Sequence, residues 1–155
     1  MEVEHLDAEL VVQKRAIVGE GSVWDSQSRV LYWVDIPPGK VCIYDPGAGT
    51  NREIEVGQMV GTVVPRERGG VAVAVENGFG LLDTESGTFT HLRNPEEGNS
   101  ANRMNDGKCD PGGRFWAGTM DRGEENASGS LYCMDADHTV HRRLENVTIS
   151  NGIVW

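Results

Sequence analysis

The segment "EGSVW", residues 20–24, is the first of four short stretches that align with one another on a single glycine. The other three are "VGTVV" (60–64), "DGKCD" (106–110) and "NGIVW" (151–155), and the aligned glycines are Gly21, Gly61, Gly107 and Gly152. Successive glycines of this set are 40, 46 and 45 residues apart. A period of this length indicates a repeated supersecondary unit.

Each repeat contains short runs rich in Val, Ile, Tyr, Trp and Phe, separated by Gly, Pro, Asn and Asp. Such runs are typical of strands joined by tight turns. After each of the first three aligned segments come a strand, a turn, a second strand that ends in Asp, and a third run. The runs are 29–36, 40–45, 52–56, 70–76, 78–83, 88–92, 114–121, 130–135 and 140–144. Each repeat therefore holds about four strands.

Four-stranded units of 40-odd residues predict an all-β fold built from the blades of a β-propeller. A β-sandwich is the alternative, but it does not require a repeat with an aligned glycine. The chain is expected to hold about three blades and the start of a fourth, which is half of a six-bladed ring. Because propellers close with about 4–8 blades, we expect a chain truncated at its C-terminus. Open blade edges would then favour self-association.

Composition narrows the possible partners. The 155-residue chain is 38% hydrophobic and carries a net charge of −10, which disfavours nucleic-acid binding. No apolar run is long enough to span a membrane. The N-terminal residues 1–10 are acidic and lack the apolar segment of a signal peptide. Three widely spaced cysteines, Cys42, Cys109 and Cys133, are expected to be free thiols, so a cytoplasmic location is predicted.

Polar residues recur just before the aligned glycines. The first, third and fourth repeats carry Glu20, Asp106 and Asn151 at this position. If these segments form the innermost strands, their oxygens converge on the central channel, as a hard divalent cation requires. Asp-Gly and Asn-Gly are also ordinary turn dipeptides, and Glu20 could be a solvated loop residue. In an extended strand Arg103 and Asn105 share one face and Asp106 lies on the other. Arg103 could also be the ion-pair partner of a nearby acid.

Several longer stretches resemble one known family. They are "GEGSVWDSQSRVLYWVDIPPGKVCIYDP" (19–46), "RMNDGKCDPGGRFWAGTMD" (103–121), "GSLYCMD" (129–135) and "ISNGIVW" (149–155). In this order and spacing they closely resemble the SMP-30/gluconolactonase/regucalcin-like family of six-bladed propellers. The resemblance implies that residues 1–155 are a partial propeller domain, the N-terminal half of a family member.

The resemblance also implies roles for individual residues. Glu20 and Asn151 correspond to metal ligands of the family, with one divalent ion (Ca, Zn, Mg or Mn) as the cofactor. Arg103 and Asn105 correspond to residues that contact the substrate in the channel. Asp106 is then expected to support the neighbouring residues or the turn.

Two elements of the family pattern are not matched. The third metal ligand, an Asp that also serves as the general base, belongs to a later blade and would lie beyond Trp155. Some members use a Glu shortly after the "AGTM" strand to contact sugar. In this chain Asp121 follows that strand and is the expected substrate contact, with Glu124 or Glu125 as loose alternatives.

The function that the resemblance implies is metal-dependent hydrolysis of a sugar lactone such as gluconolactone. The chain alone is expected to lack appreciable activity, because the general base is absent from it. Two other hypotheses remain. The protein could be a non-catalytic, calcium- or divalent-cation-binding regulatory protein, or it could be an inactive propeller fragment.

Overall fold

The computed structural model of the chain describes residues 7–155. The first six residues, which include part of the acidic N-terminal segment, lie outside the described range. The first sheet contains β1 (Gly19–Asp25), β2 (Val30–Asp35), β3 (Lys40–Asp45) and β4 (Thr50–Glu55). The second contains β5 (Val60–Pro65), β6 (Val71–Val75), β7 (Gly78–Leu82) and β8 (Phe89–Arg93). The third contains β9 (Asn102–Cys109), β10 (Phe115–Asp121), β11 (Gly129–Met134) and β12 (Val140–Val147).

In each sheet the four strands pair antiparallel in chain order, as the repeat predicts. The predicted runs coincide with the second, third and fourth strands of each sheet, and the aligned glycine lies in the first strand. We refer to the three sheets as blades 1, 2 and 3. The fourth aligned segment, 151–155, forms no strand, and an isolated bridge between Met120 and Ile149 joins the preceding residues to blade 3. No helix that could cross a membrane is found in residues 7–155.

The first strands of the blades lie next to one another because their glycines allow it. A Cβ atom on Gly61 would lie 2.3 Å from the backbone oxygen of Asn105, which belongs to the next blade. Gly21 has a φ of +60°, and a Cβ there would lie 3.4 Å from the Thr62 hydroxyl oxygen. That hydroxyl donates a hydrogen bond of 3.0 Å to the Gly107 carbonyl oxygen. Gly61 is therefore needed where the innermost strands of blades 2 and 3 approach each other, and Gly21 is favoured by its left-handed φ.

Every first strand also carries a β-bulge beside its aligned glycine. The register shifts occur between Glu20 and Val23 in β1, between Val60 and Thr62 in β5, and opposite Gly118 in β9. In each case the first strand has one more residue than its partner, which bends the strand and re-aims its side chains.

The hydrophobic core lies between the blades. In β6, alternate residues point to opposite faces of blade 2 and pack against different neighbouring blades. The five residues of β6, "VAVAV", are all buried. The three valines pack in a cluster shared with blade 1, and the two alanines pack in a cluster shared with blade 3. In the second cluster the rings of Phe79 and Phe115 pack edge to face with centroids 5.4 Å apart. Blade 2 is thus covered on both faces.

The cysteines are free thiols, as predicted. Cys42 and Cys133 are buried, Cys109 is half-buried, and none forms a disulfide. Burial raises the pKa of the Cys42 thiol to about 11, so the group is neutral and packs as a small apolar side chain.

Candidate functional site

The first strands of the three blades and the segment after β12 surround one cavity of about 260 Å³. Its walls are formed by Val18, Glu20, Ile36, Gly61, Arg103, Asn105, Asp106, Met120, Glu124, Ile149 and Asn151. Six candidate residues from the sequence, Glu124 among them, therefore meet at one place, although up to 131 positions separate them along the chain. The apolar members, among them Ile36 and Met120, carry no distinguishing signal in the sequence and were not predicted.

Glu20 and Asn151 supply oxygen atoms from opposite ends of the chain. Glu20 lies in β1 where the bulge begins, and Asn151 lies in the irregular segment after β12. Both residues are exposed to the cavity and the solvent. Within residues 7–155 neither side chain makes a hydrogen bond or an ion pair, so both keep their acceptor oxygens available for a ligand.

Arg103 and Asn105 form a connected pair on β9. One guanidinium nitrogen of Arg103 donates hydrogen bonds to the Asn105 side-chain oxygen, at 2.9 Å, and to the Met104 carbonyl, at 3.0 Å. No ion pair of Arg103 with an acid occurs within residues 7–155, so the alternative role considered for it is not realised there. Burial lowers the pKa of Arg103, as does the neighbouring Arg122, but a guanidinium stays charged at neutral pH.

Asp106 lines the same cavity as Arg103 and Asn105. The expectation that Asp106 lies on the opposite face is therefore wrong. The cause is the bulge, because Asn105 and Asp106 together oppose the single residue Gly118 of β10. An extra residue breaks the alternation on which the expectation was based.

Asp121, the expected substrate contact, does not line the cavity. It is buried, and its Oδ2 accepts hydrogen bonds from the backbone of Glu125 at 3.1 Å and from the backbone and side chain of Asn126, each at 3.0 Å. These hydrogen bonds, with the Asn126 backbone first among them, lower the pKa of Asp121. Asp121 thereby fixes the loop that follows β10. Glu124 of that loop, at a φ of +61°, lines the cavity instead.

The donor set suits a hard divalent cation. A carboxylate and amide oxygens are the ligands that Ca²⁺, Mg²⁺ and Mn²⁺ prefer. Calcium takes about six to eight oxygen ligands, so Glu20 and Asn151 would form only part of its coordination shell. Within residues 7–155 no cluster of three or more His, Cys, Asp or Glu side chains could hold a metal. The cavity therefore suits a divalent cation through a mixture of carboxylate and amide oxygens, not through a cluster of carboxylates.

The chain consists of four-stranded blades, and their first strands present carboxylate, amide and guanidinium groups to one cavity. These features are those of a class, the β-propellers with a ligand site where the first strands meet. Within this class the chain has a clear family. Residues 18–155 match the model described as the SMP-30/Gluconolactonase/LRE-like region, and the chain belongs to that family. The family resemblance seen in the sequence is confirmed.

Individual relatives agree with this assignment. The chain is 38% identical over 152 residues to regucalcin from Xenopus laevis, covering 95% of this chain and 51% of that protein. It is 35% identical over 145 residues to a 6-deoxy-6-sulfogluconolactonase from Pseudomonas putida, covering 94% and 50%. The crystal structure of regucalcin from Agrobacterium tumefaciens, described as a calcium-binding protein, matches with a TM-score of 0.83 at 26% identity, covering 90% and 47%.

The chain thus spans about half the length of the curated relatives it matches. Its three sheets superpose on a corresponding part of the solved structure. The predicted fold class, four-stranded antiparallel blades that amount to half of a six-bladed propeller, is confirmed.

Proposed function

We propose that this protein hydrolyses a sugar lactone with the help of one divalent metal ion, and that residues 1–155, as part of a single propeller domain, form one side of the site. The observation that carries the proposal is the convergence of Glu20, Arg103, Asn105 and Asn151 from separate repeats on one cavity. The 6-deoxy-6-sulfogluconolactonase among the relatives supports the reaction class.

The residues of the cavity suit the parts of such a reaction. Glu20 and Asn151 would hold the cation, which when bound supplies Lewis-acid polarisation of a substrate carbonyl. The charged donors of Arg103 would bind and orient the oxygens of a sugar ring. Asn105 holds the guanidinium through its side-chain oxygen. Met120 and Ile36 supply an apolar part of the cavity wall.

Glu124 takes over the role that the sequence suggested for Asp121. Asp121 is committed to the loop, whereas Glu124 lines the cavity on the side of β10. We therefore assign a second contact with sugar hydroxyl groups to Glu124. The sugar contact is assigned to Glu124 because its side chain lines the cavity and that of Asp121 does not. The number of residues between each acid and the end of β10 plays no part in the assignment.

Removal of the Glu20 charge is expected to weaken cation binding at least about tenfold, because the number of charged ligands sets the affinity of such sites. Glu20→Gln keeps the shape of the side chain. Metal-free protein would be titrated calorimetrically with Ca²⁺, Mn²⁺, Mg²⁺ and Zn²⁺. Glu67→Gln is the matched control, since Glu67 is an exposed acid outside the cavity. Equal affinities for the two variants would contradict the assignment of Glu20.

A non-catalytic cation-binding role is the alternative, and the calcium-binding regucalcin among the solved structures favours it. Both functions require Glu20, so turnover of gluconolactone separates them. For residues 1–155 alone we expect cation binding without appreciable hydrolysis, since the family resemblance assigns the general base to a later repeat. Hydrolysis that Glu20→Gln abolishes would show that this chain already holds the whole catalytic site.

We also propose that the chain self-associates through the outer faces of blades 1 and 3. Blade 1 presents an apolar groove lined by the half-buried Leu31, Trp33 and Tyr44 together with residues 9–12, and blade 3 presents Trp116 and Trp155 with ring centroids 5.1 Å apart. Trp155 is 59% exposed. Exposed apolar faces of this kind favour association. Light scattering should give an apparent mass that rises with concentration. A constant monomeric mass would exclude this proposal, whereas aggregation without cation binding would favour the inactive fragment.

A further inference from the structure

We propose that Asn105 and Asp106 act as a bracket that positions Asn151, by holding the backbone immediately before and immediately after it. The inference deepens the proposed function and rests on it, because it concerns how one of the proposed cation ligands is kept in place. Asn105 and Asp106 are on this view positioning residues for the site.

The hydrogen bonds of the bracket lie on the two sides of residue 151. The side-chain nitrogen of Asn105 donates to the Ser150 carbonyl oxygen at 2.9 Å. The Oδ2 atom of Asp106 accepts from the Gly152 amide at 2.8 Å and from the Ile153 amide at 3.4 Å. Backbone groups on both sides of Asn151 are thus fixed to β9.

The β-bulge explains why two consecutive residues can do this. In a regular strand the side chains of residues 105 and 106 point to opposite faces. In β9 they share the position opposite Gly118, so both side chains reach the same segment. The bulge is therefore the structural feature that creates the bracket.

Other contacts with blade 3 also help to place residues 149–155. They do not supply the hydrogen bonds that Asn105 and Asp106 make to this backbone. A Cβ atom on Gly118 would lie 2.0 Å from the Ser150 hydroxyl oxygen, so Ser150 packs directly against this glycine. The Met120–Ile149 bridge precedes it. Both contacts lie before Asn151, and after it the Trp155 ring packs against Trp116 with centroids 5.1 Å apart. Within residues 7–155, the Asp106 carboxylate supplies the hydrogen bonds that hold the backbone after Asn151.

The oxygens of Asp106 are already engaged, which distinguishes it from a cation ligand. Its Oδ1 accepts a hydrogen bond of 2.7 Å from the Gly107 amide, while Oδ2 accepts those of Gly152 and Ile153. A carboxylate that holds three backbone amides orders the chain around it. Besides the attraction of its charge for a cation in the same cavity, Asp106 would therefore act on the ligand site through the position of Asn151.

The bracket can be tested on the cation-free chain by NMR-detected hydrogen exchange. In Asp106→Ala we expect the Gly152 and Ile153 amides to exchange at least about tenfold faster, because each loses its acceptor. Asp106→Asn keeps one acceptor oxygen in the same shape and should restore part of the protection. Calcium affinity, measured by calorimetry, should fall about tenfold in Asp106→Ala, as expected when a group that orients a ligand is removed.

Asp45→Ala is the matched control. The Asp45 carboxylate also accepts two backbone amides, those of Gly47 at 2.8 Å and Ala48 at 3.0 Å, but it lies at the end of β3, away from the cavity. This variant should leave both calcium affinity and the exchange of Gly152 unchanged.

Three results can be told apart. Unchanged exchange at Gly152 and Ile153 in Asp106→Ala would overturn the bracket. Faster exchange with wild-type calcium affinity, in a protein whose affinity depends on Glu20, would overturn the positioning of Asn151. If the wild-type chain binds none of the cations, the proposed function fails, and the exchange rates alone then decide whether the bracket exists.

Discussion

Replacement of Gly61 by alanine should destabilise the chain by at least about 3 kcal/mol, at the upper end of what overpacking usually costs. The added Cβ would lie 2.3 Å from the Asn105 carbonyl oxygen and 2.9 Å from its Cα. These are backbone atoms of the next blade and cannot rotate away as a flexible side chain could. Blades 2 and 3 would have to separate where both are buried, and Asn105 would move with β9.

Urea unfolding followed by circular dichroism measures this effect. Gly47→Ala is the matched control, because Gly47 is exposed, has no left-handed φ, and a Cβ there would meet only the Asp45 carboxylate, at 3.2 Å. The control should change the free energy of unfolding by less than about 1 kcal/mol. A Gly61 variant as stable as the control would show that the blades do not pack as closely as described.

The same glycines explain why the fold could be predicted from the sequence. Each of the first three aligned positions excludes a side chain or favours glycine, but for a reason that differs from blade to blade. Gly61 faces the Asn105 backbone of the following blade, Gly21 has a φ of +60° beside Thr62, and a Cβ on Gly107 would lie 2.3 Å from the Trp116 carbonyl oxygen of its own blade. What the first three aligned glycines share is their place in the first strand of a blade, beside its β-bulge, and the strands between the glycines follow from apolar patterning.

The site could be predicted only in part. The types of the residues in a strand do not show where its pairing with the next strand shifts by one residue. The sequence predicted which polar residues meet, but strict alternation placed Asp106 on the wrong face. The bulge that corrects it depends on pairing with β10. Likewise, Asp121 and Glu124 are both acids after the same strand. Hydrogen bonds with Asn126 decide which of them turns inward.

Glu96 is the clearest case of a residue whose role the sequence conceals. In "NPEEGN", residues 94–99, two adjacent glutamates in a polar, Gly- and Pro-containing stretch are typical of a surface loop. Glu97 is indeed exposed, but Glu96 is half-buried and turns toward blade 3. Its Oε1 accepts hydrogen bonds from the hydroxyl groups of Thr119 at 2.6 Å and Tyr132 at 2.9 Å.

The other oxygen of Glu96 holds the start of β9 and the chain just before it. Oε2 accepts from the side-chain nitrogens of Asn102 at 2.7 Å and Asn99 at 3.1 Å. One carboxylate therefore ties the loop to β10 and β11 and fixes the residue that precedes Arg103. Burial raises the pKa of Tyr132 to about 12, with the bond to Glu96 contributing, so this phenol stays a donor at neutral pH.

Glu96→Ala should consequently cost about 3 kcal/mol of stability, because the Tyr132 hydroxyl loses its acceptor while Thr119 and Asn102 keep only the Ser130 and Ser128 carbonyls. Glu96→Gln should cost less than about 1 kcal/mol. Its oxygen can still accept from the two asparagines, and its amide nitrogen can donate to hydroxyl groups that rotate to accept. Thermal and urea unfolding would measure both, with Glu97→Ala as the control that removes the adjacent, exposed carboxylate. If Glu96→Ala and Glu97→Ala were equally stable, the carboxylate would not hold the loop. If Glu96→Gln were as unstable as Glu96→Ala, the negative charge of Glu96 would be what stabilises blade 3. The number of hydrogen-bond acceptors that the side chain supplies would then not explain its contribution.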